Sequence, residues 1–237
     1  MPYKGYYILA VIPARGGSKG IPRKNLRKVG GVSLVARAIK SAKSIIWIDK
    51  VVLSTDDSEI AEEGRKHGAE VPFLRPHELS GDFSSSVDTW RHAWLKAEEY
   101  FEQKFDLSIL LAPTTPVRKA WHVEECIKKL VKGRYDSILT VSETDSKYHP
   151  LKQLMFEDDR IGYYEEAGRS IIARQQLTPV YHSNGVAYAI TRKCLVDQKT
   201  IIGSNTSAVV VDEPVVNIDT EQDLKIATYF FCKKIVE

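Results

Sequence analysis

The sequence predicts an α/β fold with a mostly parallel sheet sandwiched by helices, and three observations predict it. Apolar runs of strand length recur along the chain. Segments whose apolar residues have helical spacing lie between those runs. A loop rich in glycine and cations, PARGGSKGIPRKN, follows the first run directly, where a parallel sheet carries its ligand. Strands alternating with helices need a crossover for each parallel step, so helices cover both faces.

The first strand is expected at Tyr7 to Ile12. Ser33 to Ser44 then places Leu34, Val35, Ala38, Ile39 and Ala42 on one helical face. Lys50 to Ser54 and Glu70 to Phe73 read as strands. Val87, Trp90, Trp94, Ala97 and Phe101 mark a second helix, opened by the capping-box pattern Ser85-x-x-Asp88. A strand at Leu107 to Leu111, a helix from Ala120 to Lys132 and a strand at Ser137 to Val141 continue the alternation. There the rhythm breaks. Residues 147–190 are rich in tyrosine, glycine and charge, with short strands at Leu151–Phe156, Arg160–Tyr164 and Gly185–Ile190. They read as a β-rich excursion or an intersubunit arm. Val209–Val211, the segment Val215–Ile218 and a helix from Thr220 to about Lys234 return the chain to the sheet. With no internal repeat or linker, residues 1–237 read as one domain in which 147–190 is an insertion.

Composition narrows the function. The 237 residues are 43% hydrophobic and 27% charged, as in ordinary globular proteins. A net charge of +3 gives no bulk attraction for nucleic acid, so the locally dense positive charge points to a small anion. The three cysteines make no CxxC and the six histidines no HExxH, which argues against a zinc ribbon, a disulfide framework or a zinc protease site. The apolar run near the start is too short for a signal peptide, and no stretch is long enough to span a bilayer. A cytoplasmic enzyme or binding protein, with no membrane partner, is the expectation.

In the loop, Gly16, Gly17 and Gly20 let the backbone turn and bring N–H groups close to an anion. Arg15, Lys19, Arg23 and Lys24 supply charge, and a helix starting near Ser33 adds its N-terminal dipole. Together they suit a polyphosphate. Neither GxxxxGK[ST] nor GxGxxG is present. On its own the loop also reads as a solvated basic turn; the strand before it and the density of cations favour an anion. Asp219 stands before the capping box Thr220-x-x-Asp223, a carboxylate at the ligand edge of the sheet that suits Mg²⁺ or simply favours the helix N-terminus.

LAVIPARGGSKGIPRKNL resembles the signature of the cytidylyltransferases that make CMP-sialic acid and CMP-legionaminic acid. Further blocks follow in that family's order: VVLSTDDSEIAEEGRKHGAEVPFLRPHELSGDFSSSVD, LLAPTTPVR beside the family's LLQPTSPLR, then HPLK, RQQL, NG and NIDTEQDL. The resemblance covers nearly the whole chain and implies a Rossmann-like nucleotidyltransferase fold. It also implies a reaction: the anomeric hydroxyl of a nonulosonic sugar acid attacks the α-phosphorus of CTP in line, giving the CMP-sugar and pyrophosphate with Mg²⁺. Carried onto this chain, Arg15, Gly16, Gly17, Ser18, Lys19, Lys24 and Asn25 would cradle CTP, with Arg15, Lys24 and Asp219 catalytic. Arg75, Leu79, Ser80 and Gly81 would meet its base and ribose, although Arg75 equally reads as part of a surface turn between prolines. Lys152, Arg174, Tyr181, His182 and Asn184 would serve the sugar, where arginine grips a carboxylate; without the resemblance, Lys152 and Arg174 are ordinary exposed charges. The excursion resembles the family's dimerisation segment, which implies a homodimer.

Three positions depart from the family. Ala112 replaces the glutamine of QPTSPLR, and His182 stands where a second arginine often follows the aromatic residue. Asn217 replaces the first aspartate of DID, so the metal pair becomes Asn217 and Asp219. Two departures fall on the sugar side, which leaves open 3-deoxy-manno-octulosonate or another 2-keto acid. A nucleotide-binding homologue with impaired catalysis is the remaining alternative.

Overall fold

A computed structural model describes residues 2–233, so the end of the last expected helix, at Lys234, lies outside the described residues. Six strands form the main sheet: β1 (Ile8–Pro13), β4 (Lys50–Ser54), β5 (Leu107–Leu110), β6 (Ser137–Glu143), β9 (Tyr181–Thr191) and β10 (Thr206–Val210). Their spatial order is β10-β6-β9-β5-β1-β4. β1 lies parallel to both β4 and β5, and β6 is parallel to β10. β9 alone runs antiparallel, between β5 and β6. The expected mostly parallel sheet is therefore present.

Alternation along β1 divides the core between the two faces. Ile8, Ala10 and Ile12 pack beneath α1 (Leu34–Lys43), α2 (Ser58–Lys66) and α4 (Ala120–Gly133). Leu9 and Val11 face Trp90, Ala93, Trp94 and Ala97 of α3 (Ser86–Phe101). α1 begins where its pattern does, with Ser33 Oγ accepting from the Ala36 N–H at 3.2 Å. At α3 the Ser85 cap accepts from the Asp88 N–H at 3.3 Å. The polar helix α2 buries only a narrow face, Ile60, Ala61 and Gly64, and the Asp57 carboxylate caps it.

Two sequence expectations change. Glu70–Phe73 is not a strand but a single parallel bridge from Glu70 to Val52. Pro72 has no N–H to extend the ladder, so pairing stops there. The second change lies within the 147–190 excursion. Gly185–Ile190 belongs to β9, an eleven-residue strand at the heart of the sheet. Gly185 takes φ +70° where the pairing with β6 shifts register between Leu139 and Val141, a conformation a side chain disfavours. What leaves the sheet is the hairpin of β7 (Leu154–Glu157) and β8 (Arg160–Tyr163). Its two-residue turn places Asp158 and Asp159 at positive φ, 48° and 61°, as a tight hairpin with right-handed twist requires.

A small hairpin of β2 (Lys28–Val29) and β3 (Val32–Ser33) joins the loop after β1 to α1. Val29, Leu34, Val216, Ile218 and Ala227 make a third apolar cluster, which fastens α5 (Glu221–Cys232) against that loop.

Candidate active site

From β1 the chain steps to β4 on one side and later to β5 on the other. A crevice therefore opens at the carboxyl ends of β1 and β5, where open α/β sheets bind ligands. A cleft of about 470 Å³ occupies it. Pro13 ends β1 on one wall, and on the other Leu110 ends β5 and Ala112, Pro113 and Thr114 follow it. Arg15, Ser18, Lys19, Lys24 and Asn25 line it from the glycine-rich loop. Arg75, Leu79 and Gly81 close a side, and Asp219 projects from the segment before α5. Residues 200 positions apart thus converge on one anion-sized space. Gly17 and Ser80 line an adjoining crevice with Arg15, Lys19 and Asp82.

The loop is held by specific bonds. The Gly16 N–H donates to Asp56 Oδ1 at 2.9 Å, and Asn25 Nδ2 donates to the Arg15 carbonyl at 2.9 Å. Asn25 is buried, so its amide braces the turn from below. Gly20 passes so close to Asp219 that a Cβ would sit 2.3 Å from its carbonyl oxygen, which makes glycine obligatory there. Lys24 Nζ donates to Asp219 Oδ1 and to the Ile218 carbonyl, both at 2.9 Å. The capping box behind Asp219 forms as the sequence implies. Asp223 Oδ2 accepts from the N–H of Thr220 at 2.8 Å and of Asp219 at 3.1 Å.

Arg75 is buried, not part of a solvated turn. Its N–H donates to the Thr55 carbonyl at 2.7 Å and its Nε to Ser80 Oγ at 3.1 Å, while Asp56 lies 3.8 Å from Nη2. Burial pushes its guanidinium down, Asp56 opposes that, and Arg15 adds to it. Asp56 thus ties the glycine-rich loop to the Arg75 wall.

Two expected contributors are directed elsewhere. Arg23 sits at φ 56° and pairs with Asp57 at 3.0 Å and Glu59 at 2.6 Å, at the start of α2. No residue of α1 lines the cleft, because the β2–β3 hairpin intervenes and Ser33 already caps that helix. On the sugar side, Lys152, Arg174, Tyr181, His182 and Asn184 do not line the cleft of the single chain. Arg174 borders a small crevice beside Thr144 and His149. His182 Nδ1 lies 3.0 Å from Thr144 Oγ1. Asn184 is buried, donating to Ser142 Oγ at 3.0 Å and accepting from the Val186 N–H at 3.1 Å, so its amide fixes the irregular stretch of β9. Asn217 is exposed and lies outside the cleft lining, whereas Asp219 lines it.

Sequence reasoning overlooked Asp82 and Arg118. Asp82 bridges the loop cations, 3.1 Å from Arg15 and 2.5 Å from Lys19. The Lys19 hydrogen bond, with help from Arg15, holds its carboxyl below the usual range. Its signal was a lone acid in the Gly/Ser run LSGDFSSS opposite a basic loop. Arg118 Nη2 donates to the Ala112 carbonyl at 2.7 Å and its Nε to the Val186 carbonyl, bracing the cleft wall. Only tertiary contact reveals that role.

An anion clamp of this kind fits nucleotide chemistry, and comparison with known proteins agrees. The family model described as cytidylyltransferase matches residues 9–200. The chain is 31% identical over 225 residues to the pseudaminic acid cytidylyltransferase of Campylobacter jejuni, covering 94% of this chain and 95% of that protein. It is equally 31% identical over 229 residues to the CMP-N,N'-diacetyllegionaminic acid synthase of Campylobacter jejuni, covering 96% of each. Among solved structures, a CMP:2-keto-3-deoxy-manno-octonic acid synthetase complexed with CTP shares the fold, with a TM-score of 0.70 at 17% identity over 96% of this chain and 99% of that one. The chain belongs to the cytidylyltransferase family, and within it to the group of CMP-nonulosonic acid synthetases.

Proposed function

We propose that this chain activates a sialic-acid-like nonulosonic acid with CTP. The anomeric hydroxyl attacks the α-phosphorus, the α–β phosphoanhydride bond breaks, pyrophosphate leaves, and the hydroxyl proton passes to solvent. The observation that carries this reading is the meeting of Arg15, Lys19, Lys24 and Asp219 in one cleft at the switch point of the sheet. Phosphoryl transfer relies on positioning and electrostatics, which fixed cations supply.

Arg15 and Lys19 take the triphosphate once it displaces Asp82. Lys24, held toward the cleft by Asp219 and the Ile218 carbonyl, neutralises charge developing at the α-phosphate. Arg75 and the Leu79–Gly81 stretch form the wall for cytosine and ribose. Asp219 offers a charged hard oxygen donor on the cleft lining, and Asn217, outside that lining, would add a neutral one by turning toward it. That set suits Mg²⁺, which keeps waters and shares its coordination with substrate phosphates. When bound, the metal would neutralise triphosphate charge. No group of three or more histidine, cysteine or acidic residues able to hold a metal occurs among the described residues, so the nucleotide would complete the coordination.

Lys152, Arg174, Tyr181 and His182 serve the sugar acid across a homodimer. Support comes from the β7–β8 hairpin, where Leu154, Met155, Phe156 and Ile161 are all half exposed or more. An apolar hairpin of this kind gains by burial against a second copy. We place the enzyme in the cytoplasm; no helix among the described residues is long and apolar enough to cross a membrane.

The test is pyrophosphate release from CTP and Mg²⁺ with a panel of pseudaminic, legionaminic and N-acetylneuraminic acids and 3-deoxy-manno-octulosonate. Release with a nonulosonic acid is expected. Release with the octulosonate alone would reassign the acceptor, and CTP binding without any release would make the chain a nucleotide-binding homologue.

A further inference from the structure

A second recess, of about 430 Å³, shares no lining residue with the catalytic cleft. It lies between α1, the turn entering α4, and α5, and Arg37, Lys40, Ser41, Ser44, Arg118 and Phe231 face it. We propose that this recess binds a phosphate-class dianion, free or carried on a small metabolite, through Arg37, Lys40, Arg118 and the Ser41 hydroxyl, the Ser44 hydroxyl being spent on the Ser41 carbonyl at 2.8 Å.

Three cations and no carboxylate line it among the described residues. Arg37 is fixed by the Val29 and Gly30 carbonyls and stacks over the Phe231 ring at 3.8 Å. Arg118 is fixed by the Ala112 and Val186 carbonyls. Neither guanidinium forms an ion pair within the described residues, so among those residues neither has a counter-ion beside the recess. Burial alone pushes Arg37 down and Arg118 down to about 9, which an anion in the recess would reverse. Ser41 Oγ is enclosed and has no hydrogen-bond partner, which costs free energy, and it would meet an anion in the recess by turning about χ1. A tetrahedral dianion presents several acceptor oxygens at once and matches guanidinium, ammonium and hydroxyl donors together. Since Arg118 also braces Ala112, the same side chain would meet the anion and hold the cleft wall.

The proposal does not depend on the reaction assigned above. Inorganic phosphate is titrated into the full chain by calorimetry at constant ionic strength, with CTP and Mg²⁺ saturating and no sugar acid. Saturable binding is expected, at least about tenfold weaker in Lys40→Glu and about three- to tenfold weaker in Ser41→Ala. Ser41→Ala removes an unsatisfied hydroxyl, so its thermal midpoint without phosphate should hold or rise while phosphate affinity falls. Lys24→Ala should retain the phosphate site. Binding that survives both recess variants, or vanishes in Lys24→Ala alone, places the phosphate in the catalytic cleft and overturns the proposal. Glucose 6-phosphate, titrated in parallel, separates the sources: tighter binding than phosphate assigns a metabolite ester, weaker binding assigns the free ion. Failure of both to bind overturns the proposal. So does a Lys40→Glu chain that dissociates in sedimentation with phosphate affinity unchanged, because the recess then belongs to a second copy.

Discussion

Lys24 and Asp219 face each other across nearly the full length of the chain, paired at 2.9 Å, and the proposed reaction makes theirs the contact to test first. Lys24→Ala is expected to lower kcat about 10²–10³-fold with an unchanged circular dichroism spectrum. Near-normal turnover would take Lys24 out of the mechanism. Asp82 acts in the opposite sense, since it occupies Arg15 and Lys19 before the nucleotide does. Asp82→Asn should tighten CTP about two- to fivefold in calorimetry, the scale of an exposed ion pair. Its carboxyl is held low chiefly by the Lys19 hydrogen bond, so the bridge persists through the ordinary carboxylate range and opens only as pH falls through that lowered value. Weaker CTP binding in Asp82→Asn would show that the carboxylate organises the loop rather than blocking it.

At the scale of elements, Glu98 joins α3 to the end of β9. Its buried carboxylate accepts from Arg192 at 2.9 and 3.1 Å, Lys104 at 2.7 Å, Trp94 Nε1 at 3.1 Å and the Phe105 N–H at 3.3 Å. Burial raises its pKa, but bonds from Arg192, Lys104 and Phe105 outweigh that and bring it below the usual value. A group depressed in this way contributes stability above its unfolded pKa, lost as pH falls through the folded one. Glu98→Ala strands the buried Trp94 and Phe105 donors. It should cost about 3 kcal/mol, a fall in Tm of about 6–12 °C by calorimetry, and flatten the acid limb of the stability profile. A loss within 1 °C would mean that water replaces the carboxylate. The proline in Glu70–Phe73 and the polar composition of α2 are where local pattern misled: one hides a break inside an apolar run, the other a helix whose buried face is narrow.

At the scale of the molecule, the antiparallel β9 divides the sheet into a nucleotide half, β4-β1-β5, and an outer half, β6-β10. The hairpin that precedes β9 carries its apolar side chains outward. Charging it with Phe156→Glu and Ile161→Glu should give a monomer in sedimentation velocity, with the KM for the sugar acid raised far more than that for CTP. A monomeric unmodified chain at assay concentration would remove the dimer from the proposal.

The sequence by itself determined the layers, because alternation and helical spacing are local properties, and it located the glycine-rich loop that lines the cleft, because glycines and cations adjoin one strand. It also drew Arg15, Lys24, Arg75 and Asp219 toward one ligand through family resemblance. Only the tertiary structure decided that Arg23 turns away to α2, that Asn184 is spent on the backbone of β9, and that Asp82 closes over the loop. Each of these depends on a partner 34 to 67 positions distant, brought near by the crossover of the sheet. The recess with an orphaned Ser41 was likewise unreadable from the chain, since its cations come from α1 and from the turn entering α4, about 80 positions on, and have meaning only where the fold leaves them without an acid among the described residues.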